Sequence, residues 1–162
     1  MCVEPNNFWN YVGFTSLTED EPVETLVRRF EFWLRQHRGR LAAGRGNHSL
    51  GDLLPGYFAR LGLRAIAVHQ NDRPVPLFPP YAGADQQALV EQERQWKNSS
   101  TGPWNKADLR ELFLRGGGDE TVFENCFADI VGKFRSEQQA IADGNFHAGG
   151  GGISYLVSAR KP

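Results

Sequence analysis

Polar side chains beside strand ends and turns are the best candidates for chemistry in this chain of 162 residues. Asn6 and Asn7 follow the strand-like residues 2–5, and open α/β sheets bind their ligands just past strand ends. His147 precedes a run of glycines, where a loop imidazole could serve a substrate as a base or as a hydrogen-bond partner. An ordinary surface histidine is the alternative interpretation of His147.

A second group of candidates is aromatic and lies in proline-rich or turn-like segments. Tyr81 ends the segment Phe78-Pro79-Pro80-Tyr81, and Trp104 lies in Pro103-Trp104-Asn105. Three more aromatic residues follow the two asparagines: Phe8, Trp9 and Tyr11. Aromatic walls with a few polar groups suit a small organic ligand, although the packing of helices explains the same residues equally well. We therefore predict substrate contacts for Asn6, Asn7, Tyr81, Trp104 and His147, and we assign no catalytic residue.

Other common chemistries lack their sequence signatures. No two histidines stand four residues apart and no cysteine joins them, so we expect no metal site. The two cysteines, Cys2 and Cys126, are far apart and form no disulfide framework. Glycines 149–152 could form an anion-binding nest, but they lead into a strand and not a helix, which favours a plain turn.

Composition narrows the classes of partner and compartment. A net charge of -1 gives no electrostatic reason to expect binding to nucleic acid or to an anionic membrane. No apolar run approaches the roughly 20 residues that cross a bilayer, and no leader pattern opens the chain. With so few cysteines, we expect a soluble, cytoplasmic protein.

Periodicity predicts five helices, near residues 22–37, 49–61, 85–97, 106–115 and 119–142. It predicts a buried strand at 63–69 and a final strand at 153–160, with a proline-rich extended segment at 73–81. We expect Ser49 to cap the second helix and Asp119 to cap the last one. The residues expected to face the core are Val23, Leu26, Val27, Phe30, Trp33 and Leu34 in the first helix, Leu53, Leu54, Phe58 and Leu61 in the second, and Val122, Cys126, Ile130, Phe134 and Ile141 in the last.

This order of elements resembles the C-terminal half of a class I S-adenosylmethionine-dependent methyltransferase. Cys2-Val3-Glu4-Pro5-Asn6-Asn7 resembles the end of the fifth strand, and residues 53–68 resemble the helix and sixth strand that follow. Residues 152–162 resemble the seventh strand, which in that fold runs antiparallel between strands five and six. The resemblance implies an α/β fold with a partial Rossmann-like methyltransferase sheet, strands five to seven, and a large helical insertion.

The resemblance also implies a domain plan: one partial domain over 1–162, with an insertion after strand five at 8–48, helix and strand six at 49–69, a helical and proline-rich insertion at 70–148, and the final strand at 149–162. The implied activity is transfer of a methyl group from S-adenosylmethionine to a small-molecule acceptor. In that family a Gly-rich loop and an acidic residue of the N-terminal half hold the cofactor. Neither motif is found here, so we expect the chain to be truncated and not to bind S-adenosylmethionine alone.

Two other interpretations stay open. The chain could be a non-catalytic interaction module or remnant that pairs through an exposed sheet edge, either as a homo-oligomer or with a separate N-terminal half. It could also be an unrelated α/β protein that binds a small molecule.

Overall fold

A computed structural model describes residues 1–10, 13–71, 74–96, 99, 101–150 and 152–162, without the side chains of Trp9 and Asn10. In chain order the elements are β1 Cys2–Asn6, α1 Asn7–Asn10, α2 Val23–Ala42, a 3-10 turn Gly51–Leu53, α3 Leu54–Arg60, β2 Arg64–Gln70, α4 Ala84–Gln95, α5 Lys106–Arg115, α6 Glu120–Ala142 and β3 Ile153–Arg160. The predictions made for Tyr11, for the Trp9 side chain, for Arg73, for Lys97 and for Gly151 lie outside the described residues.

The chain divides into two compact units. The first comprises Met1–Gly13, Asn47–Pro74 and Gly151–Pro162, and the second comprises Phe14–Gly46 and Val75–Gly150. The strands belong to the first unit, and the second unit holds the long helices.

The sheet of the first unit has the strand order β1-β3-β2. β3 is antiparallel to both neighbours: Val157 lies opposite Cys2 of β1 and opposite Val68 of β2. β1 and β2 are therefore parallel to each other, and the last strand of the chain lies between them. The antiparallel final strand is confirmed, and the fold class is α/β.

The prediction that residues 63–69 form a buried strand is wrong about burial. β2 forms at Arg64–Gln70, but Ile66 is its one partly buried residue and the other six are exposed. β2 lies at the edge of the sheet, and a register irregularity separates Arg64 from Ala67. An apolar, β-branched run specifies a strand, but it does not specify that layers will cover both faces.

The helix predicted at 49–61 begins later and buries less than expected. Leu54 is buried, whereas Leu53 is 46% exposed and Leu61 is 73% exposed. Ser49 does not cap this helix; its hydroxyl is 3.0 Å from Asn6 Oδ1 and donates to it. Gly51 explains the delay, because a Cβ there would lie 2.6 Å from the Glu4 carbonyl oxygen, so the chain first passes close to β1.

The second unit packs α2, α5 and α6 around an aromatic core. The Phe32 ring stacks on Phe113 with centroids 5.2 Å apart and on Phe123 at 5.9 Å. Gly39 lets α2 approach α5 closely, since a Cβ there would lie 1.7 Å from the Leu112 carbonyl oxygen. The buried residues of this cluster are Phe32, Phe113, Phe123, Cys126, Phe127, Ile130 and Val131.

The predicted core face of α2 is partly wrong. Val23 and Val27 are 68% and 58% exposed, while Gln36 is 4% exposed. The Gln36 amide donates to the Leu109 carbonyl of α5, which offsets part of the cost of burying this polar side chain. In α6, by contrast, three predicted core residues are confirmed (Cys126, Ile130 and Phe134), whereas Val122 is 41% exposed.

None of the helices that the structure describes is long and apolar enough to cross a lipid bilayer.

Candidate functional site

The five predicted substrate residues divide between the two units. Asn6 and Asn7 belong to the first unit, and Tyr81, Trp104 and His147 belong to the second. Four of them bond or pack mainly against protein, whereas His147 lines an open cleft.

Asn6 and Asn7 tie the end of β1 to the segment before the 3-10 turn. Asn6 is 2% exposed, and its Oδ1 accepts from Phe8 N at 3.2 Å and from the Ser49 hydroxyl. The Asn7 side-chain amide donates to the carbonyl of His48. Asn7 follows the strand, as predicted, whereas Asn6 is the last residue of β1 and lies opposite Ile153 of β3. The side chains of both asparagines bond within the first unit.

Trp104 packs in the aromatic core of the second unit. Its ring meets Phe134 edge-to-face with centroids 5.3 Å apart and lies 6.4 Å from the Trp33 ring. The Thr101 hydroxyl donates to the Trp104 carbonyl at 2.8 Å. These contacts give Trp104 a packing role, and its contact with a substrate stays a prediction.

Tyr81 is half-buried and holds the backbone next to His147. Its hydroxyl donates to the Phe146 carbonyl at 2.9 Å and accepts from Phe146 N at 3.1 Å. Phe146 itself is buried with Leu77 and Val90 in a second apolar cluster. Tyr81 is therefore placed to position the segment that carries His147.

An open cleft of about 350 Å³ lies in the second unit beside His147. Three segments line it, contributing Phe14, Thr15, Ser16, Glu19, Leu77, Phe78, His147, Ala148 and Gly149. Of the five predicted residues, His147 is the one that lines this cleft. Its volume lies at the lower end of the range usual for small-molecule sites.

Short backbone pairings hold the three segments together. Ser16 N donates to the His147 carbonyl at 2.9 Å, and His147 N donates to the Ser16 hydroxyl at 3.0 Å. Leu77 and Ala148 exchange two bonds, of 3.0 and 2.9 Å. Gly150, at φ +69°, allows the close approach, because a Cβ there would lie 1.9 Å from the Val75 carbonyl oxygen. The backbone of the cleft is thus fixed by its own hydrogen bonds.

The side chains of the cleft combine apolar rings with a few polar groups. Phe14 is 65% exposed and Phe78 is 52% exposed. Of the described residues that line the cleft, Glu19 supplies the one carboxylate, and none is a lysine or an arginine. The side chains of Glu19 and His147 make no hydrogen bond or ion pair within the part of the chain that the structure describes. The cleft can therefore offer an acceptor, an imidazole and aromatic surface to a small molecule.

Three groups outside the cleft have pKa values that burial shifts. Burial lowers the pKa of His37, helped by the charges of Arg38 and Arg40. Burial also raises the pKa of the Cys126 thiol and of the Glu93 carboxyl. Nor do the described residues bring together three side chains of the kind that could hold a metal ion. The described polar side chains of the cleft are the Thr15 and Ser16 hydroxyls, the Glu19 carboxylate and the His147 imidazole.

Three glycine positions differ from the loop that would hold S-adenosylmethionine. The cradle for such a cofactor is a Gly-rich loop that leaves a strand and opens a helix. Gly44 instead follows α2, at the end of a helix. The space beside Gly116 is occupied by protein, since a Cβ there would lie 2.0 Å from the Arg35 carbonyl oxygen. Gly150 likewise lies against the backbone of Val75. None of these three glycines lies in a loop that leaves a strand and opens a helix.

Sequence reasoning missed most of the cleft. Phe14, Ser16 and Glu19 lie more than 120 residues from His147 along the chain, and hydrogen bonds between Ser16 and His147 join the two segments. One usable signal existed: Thr15 and Thr18 are turn-forming residues, and Thr15 N donates to the Thr18 hydroxyl at 2.8 Å. That signal indicates a turn but not what the turn faces.

Comparison with known proteins gives no match for this chain, either to a protein family or to a curated protein.

Proposed function

We propose that this chain is the acceptor-side part of a class I S-adenosylmethionine-dependent methyltransferase that acts on a small molecule. One observation carries the proposal: the sheet order β1-β3-β2, with two parallel strands and an antiparallel last strand between them. The resemblance in sequence implies the same arrangement for strands five, seven and six of that fold.

The strand order is informative because simple connections would not produce it. Consecutive strands usually pair with each other, and a parallel pair normally lies side by side after its crossover. Here the first two strands leave a gap that the last strand fills from the opposite direction. A Rossmann-like identity for the sheet is the simplest account of this gap.

In this proposal the second unit supplies the acceptor site. The cleft beside His147 binds and orients the small molecule, and the exposed imidazole accepts a proton from its nucleophilic atom. Transfer between bound partners depends largely on their alignment, which a cleft with a fixed backbone favours. Because the described glycine segments do not fit the cofactor, we assign the cofactor grip to another polypeptide segment.

The test is S-adenosylmethionine binding by two preparations. One is residues 1–162 alone, and the other is the native assembly recovered through a C-terminal tag from the cells that express it. We expect saturable binding by the native assembly and none by the isolated chain. A native assembly that does not bind S-adenosylmethionine would refute the proposed function, and saturable binding by the isolated chain would refute the assignment of the grip elsewhere.

A second candidate function is that of a non-catalytic module that pairs through β1. Within the described residues β1 has β3 as its one strand neighbour, and Val3 is 64% exposed. The first unit also buries few apolar side chains, chiefly Leu54 and Val157. Against strong pairing, Pro5 removes a backbone donor from this strand.

Light scattering after size-exclusion chromatography, over a range of concentrations, tests this second candidate. Pairing through β1 predicts self-association that Val3→Lys abolishes and that Val122→Lys, on the exposed side of α6, leaves intact. A chain that is monomeric at every concentration would exclude self-pairing.

A further inference from the structure

We propose that the cleft of the second unit binds a small planar aromatic molecule that carries an amine or another cationic group. The inference deepens the proposed function by naming the class of acceptor, and calling this ligand a methyl acceptor rests on that function. Binding of the ligand does not depend on methyl transfer.

The aromatic part of the inference comes from two phenylalanines. The chain has eleven phenylalanines, all described, and Phe14 and Phe78 are the two that are exposed. Both line the same cleft, although they lie more than 60 residues apart in the sequence. Full burial of a phenylalanine side chain is favourable by about 1.5–3 kcal/mol relative to exposure. Two exposed rings at one concave site therefore form a favourable surface for a flat apolar ligand.

The cationic part comes from the charges of the lining. Among the described residues that line the cleft, Glu19 is the one acidic residue, and none of them is a lysine or an arginine. The Glu19 carboxylate would repel an anion, whereas an ammonium group would pair with it. The Ser16 oxygen already accepts from His147 N, so its hydroxyl proton stays available as a donor to the ligand.

The site is preorganised. The segments that carry Ser16, Leu77 and His147 are joined by backbone hydrogen bonds of 2.9 to 3.0 Å. Tyr81 fixes Phe146, one residue before His147, through two further bonds. A ligand would therefore order few backbone groups on binding, which lowers the entropic cost.

The test uses three probes with one ring system and different charges: tryptamine, the neutral alcohol tryptophol and the anion indole-3-acetate. Each is titrated into the ¹⁵N-labelled chain and followed by NMR chemical shifts. For a ligand of this size in an open cleft we expect a Kd for tryptamine on the order of 0.1–1 mM. Tryptamine should bind about fivefold more tightly than tryptophol, and indole-3-acetate most weakly.

Matched variants locate the interaction. Glu19→Gln should remove the advantage of tryptamine over tryptophol, while Glu24→Gln, an exposed acid at the start of α2, should retain it. Phe78→Ala should weaken tryptamine and tryptophol alike by about fivefold or more, while Leu41→Ala, also exposed, should not. Unchanged spectra of the free variants show that each is folded.

Three results would overturn the inference: equal affinity for tryptamine and tryptophol, shifts that map away from residues 14–19, 77–78 and 147–149, or a Glu19→Gln variant that discriminates like the parent. These outcomes are separable from failure of the proposed function. If the chain binds tryptamine but the native assembly does not bind S-adenosylmethionine, the ligand site stands and the proposed methyl transfer is refuted. If the native assembly binds S-adenosylmethionine but the chain does not bind tryptamine, only the proposed class of ligand is refuted.

Discussion

Removal of the Tyr81 hydroxyl is the sharpest perturbation of the segment that carries His147. Tyr81→Phe keeps the ring, which packs with Leu77 and Phe146, and deletes only the oxygen. That oxygen donates to the Phe146 carbonyl at 2.9 Å and accepts from Phe146 N at 3.1 Å. The substitution therefore tests the hydrogen bonds without opening a cavity.

The two lost bonds do not have equal cost. Phe146 N also donates to the Ala140 carbonyl at 3.2 Å, so the amide keeps a partner after the substitution. The Phe146 carbonyl loses its Tyr81 donor, and Phe146 is 7% exposed. An unsatisfied buried acceptor costs about 1–3 kcal/mol, and the half-buried position of Tyr81 places the expected loss at the lower end, about 1–1.5 kcal/mol.

Urea unfolding followed by tryptophan fluorescence measures this loss as a lower midpoint at unchanged slope. The matched control is Tyr57→Phe, because the Tyr57 ring stacks with Arg60 and its hydroxyl makes no hydrogen bond within the described part of the chain. We expect the control to change the free energy of unfolding by less than about 0.5 kcal/mol. If the two variants agreed within about 0.3 kcal/mol, the positioning role of Tyr81 would be refuted.

Further predictions concern the helical core and its titrating groups, all read from the free energy of unfolding in urea. Gly39→Ala should destabilise the protein by about 2–3 kcal/mol or more, because its Cβ would lie 1.7 Å from a backbone oxygen of α5. Gly132→Ala in α6, where a Cβ meets open space, should stabilise the protein by about 0.5–1 kcal/mol. Equal effects of the two substitutions would contradict the close approach of α2 to α5. Burial raises the pKa of Glu93, so its contribution to stability is present below its ordinary pKa and is lost as pH rises through the raised value. Glu93→Gln should therefore stabilise the protein at pH 7, and this gain should vanish below about pH 4. A loss of stability at pH 7 would contradict the prediction. Burial lowers the pKa of His37, so the contribution of His37 to stability is present above about pH 6.5 and is lost as pH falls toward the lowered pKa. His37→Asn should therefore flatten the decline in stability between about pH 7 and pH 5.5. An unchanged decline would contradict a lowered pKa of His37.

Elements with local signals could be predicted from the sequence. α5 and β3 form at the predicted residues, Lys106–Arg115 and Ile153–Arg160. Asp119 caps α6 as predicted, since its Oδ1 accepts from Thr121 N at 2.8 Å and from Val122 N at 3.2 Å. Caps and periodicity act within a few residues, so a single sequence specifies them.

Burial was less predictable because it depends on what the rest of the fold places nearby. Gln36 was not among the predicted core residues, yet it is buried, and its amide donates to a carbonyl of α5. β2 is exposed although its composition is that of a buried strand, because it lies at the sheet edge. Neither the carbonyl that bonds Gln36 nor the position of β2 in the sheet is encoded in the local sequence.

The cleft shows the same limit most clearly. His147 was a candidate because of its loop position, but Phe14 and Glu19 carried no local signal of a ligand site. They reach the cleft because Ser16 N donates to the His147 carbonyl and the Ser16 hydroxyl accepts from His147 N, at a separation of 131 residues. Pairing of that kind depends on the fold and leaves no pattern of side chains in the sequence.

Methyl transfer itself tests the central claim most directly. The native assembly is incubated with S-adenosylmethionine labelled in its methyl group and with a small-molecule extract of the same cells, and label is measured in the small-molecule fraction. The account predicts labelled product from the parent assembly and a marked loss with Phe78→Ala but not with Leu41→Ala. An assembly that transfers no methyl group, or that transfers it equally well with either variant, would contradict the account.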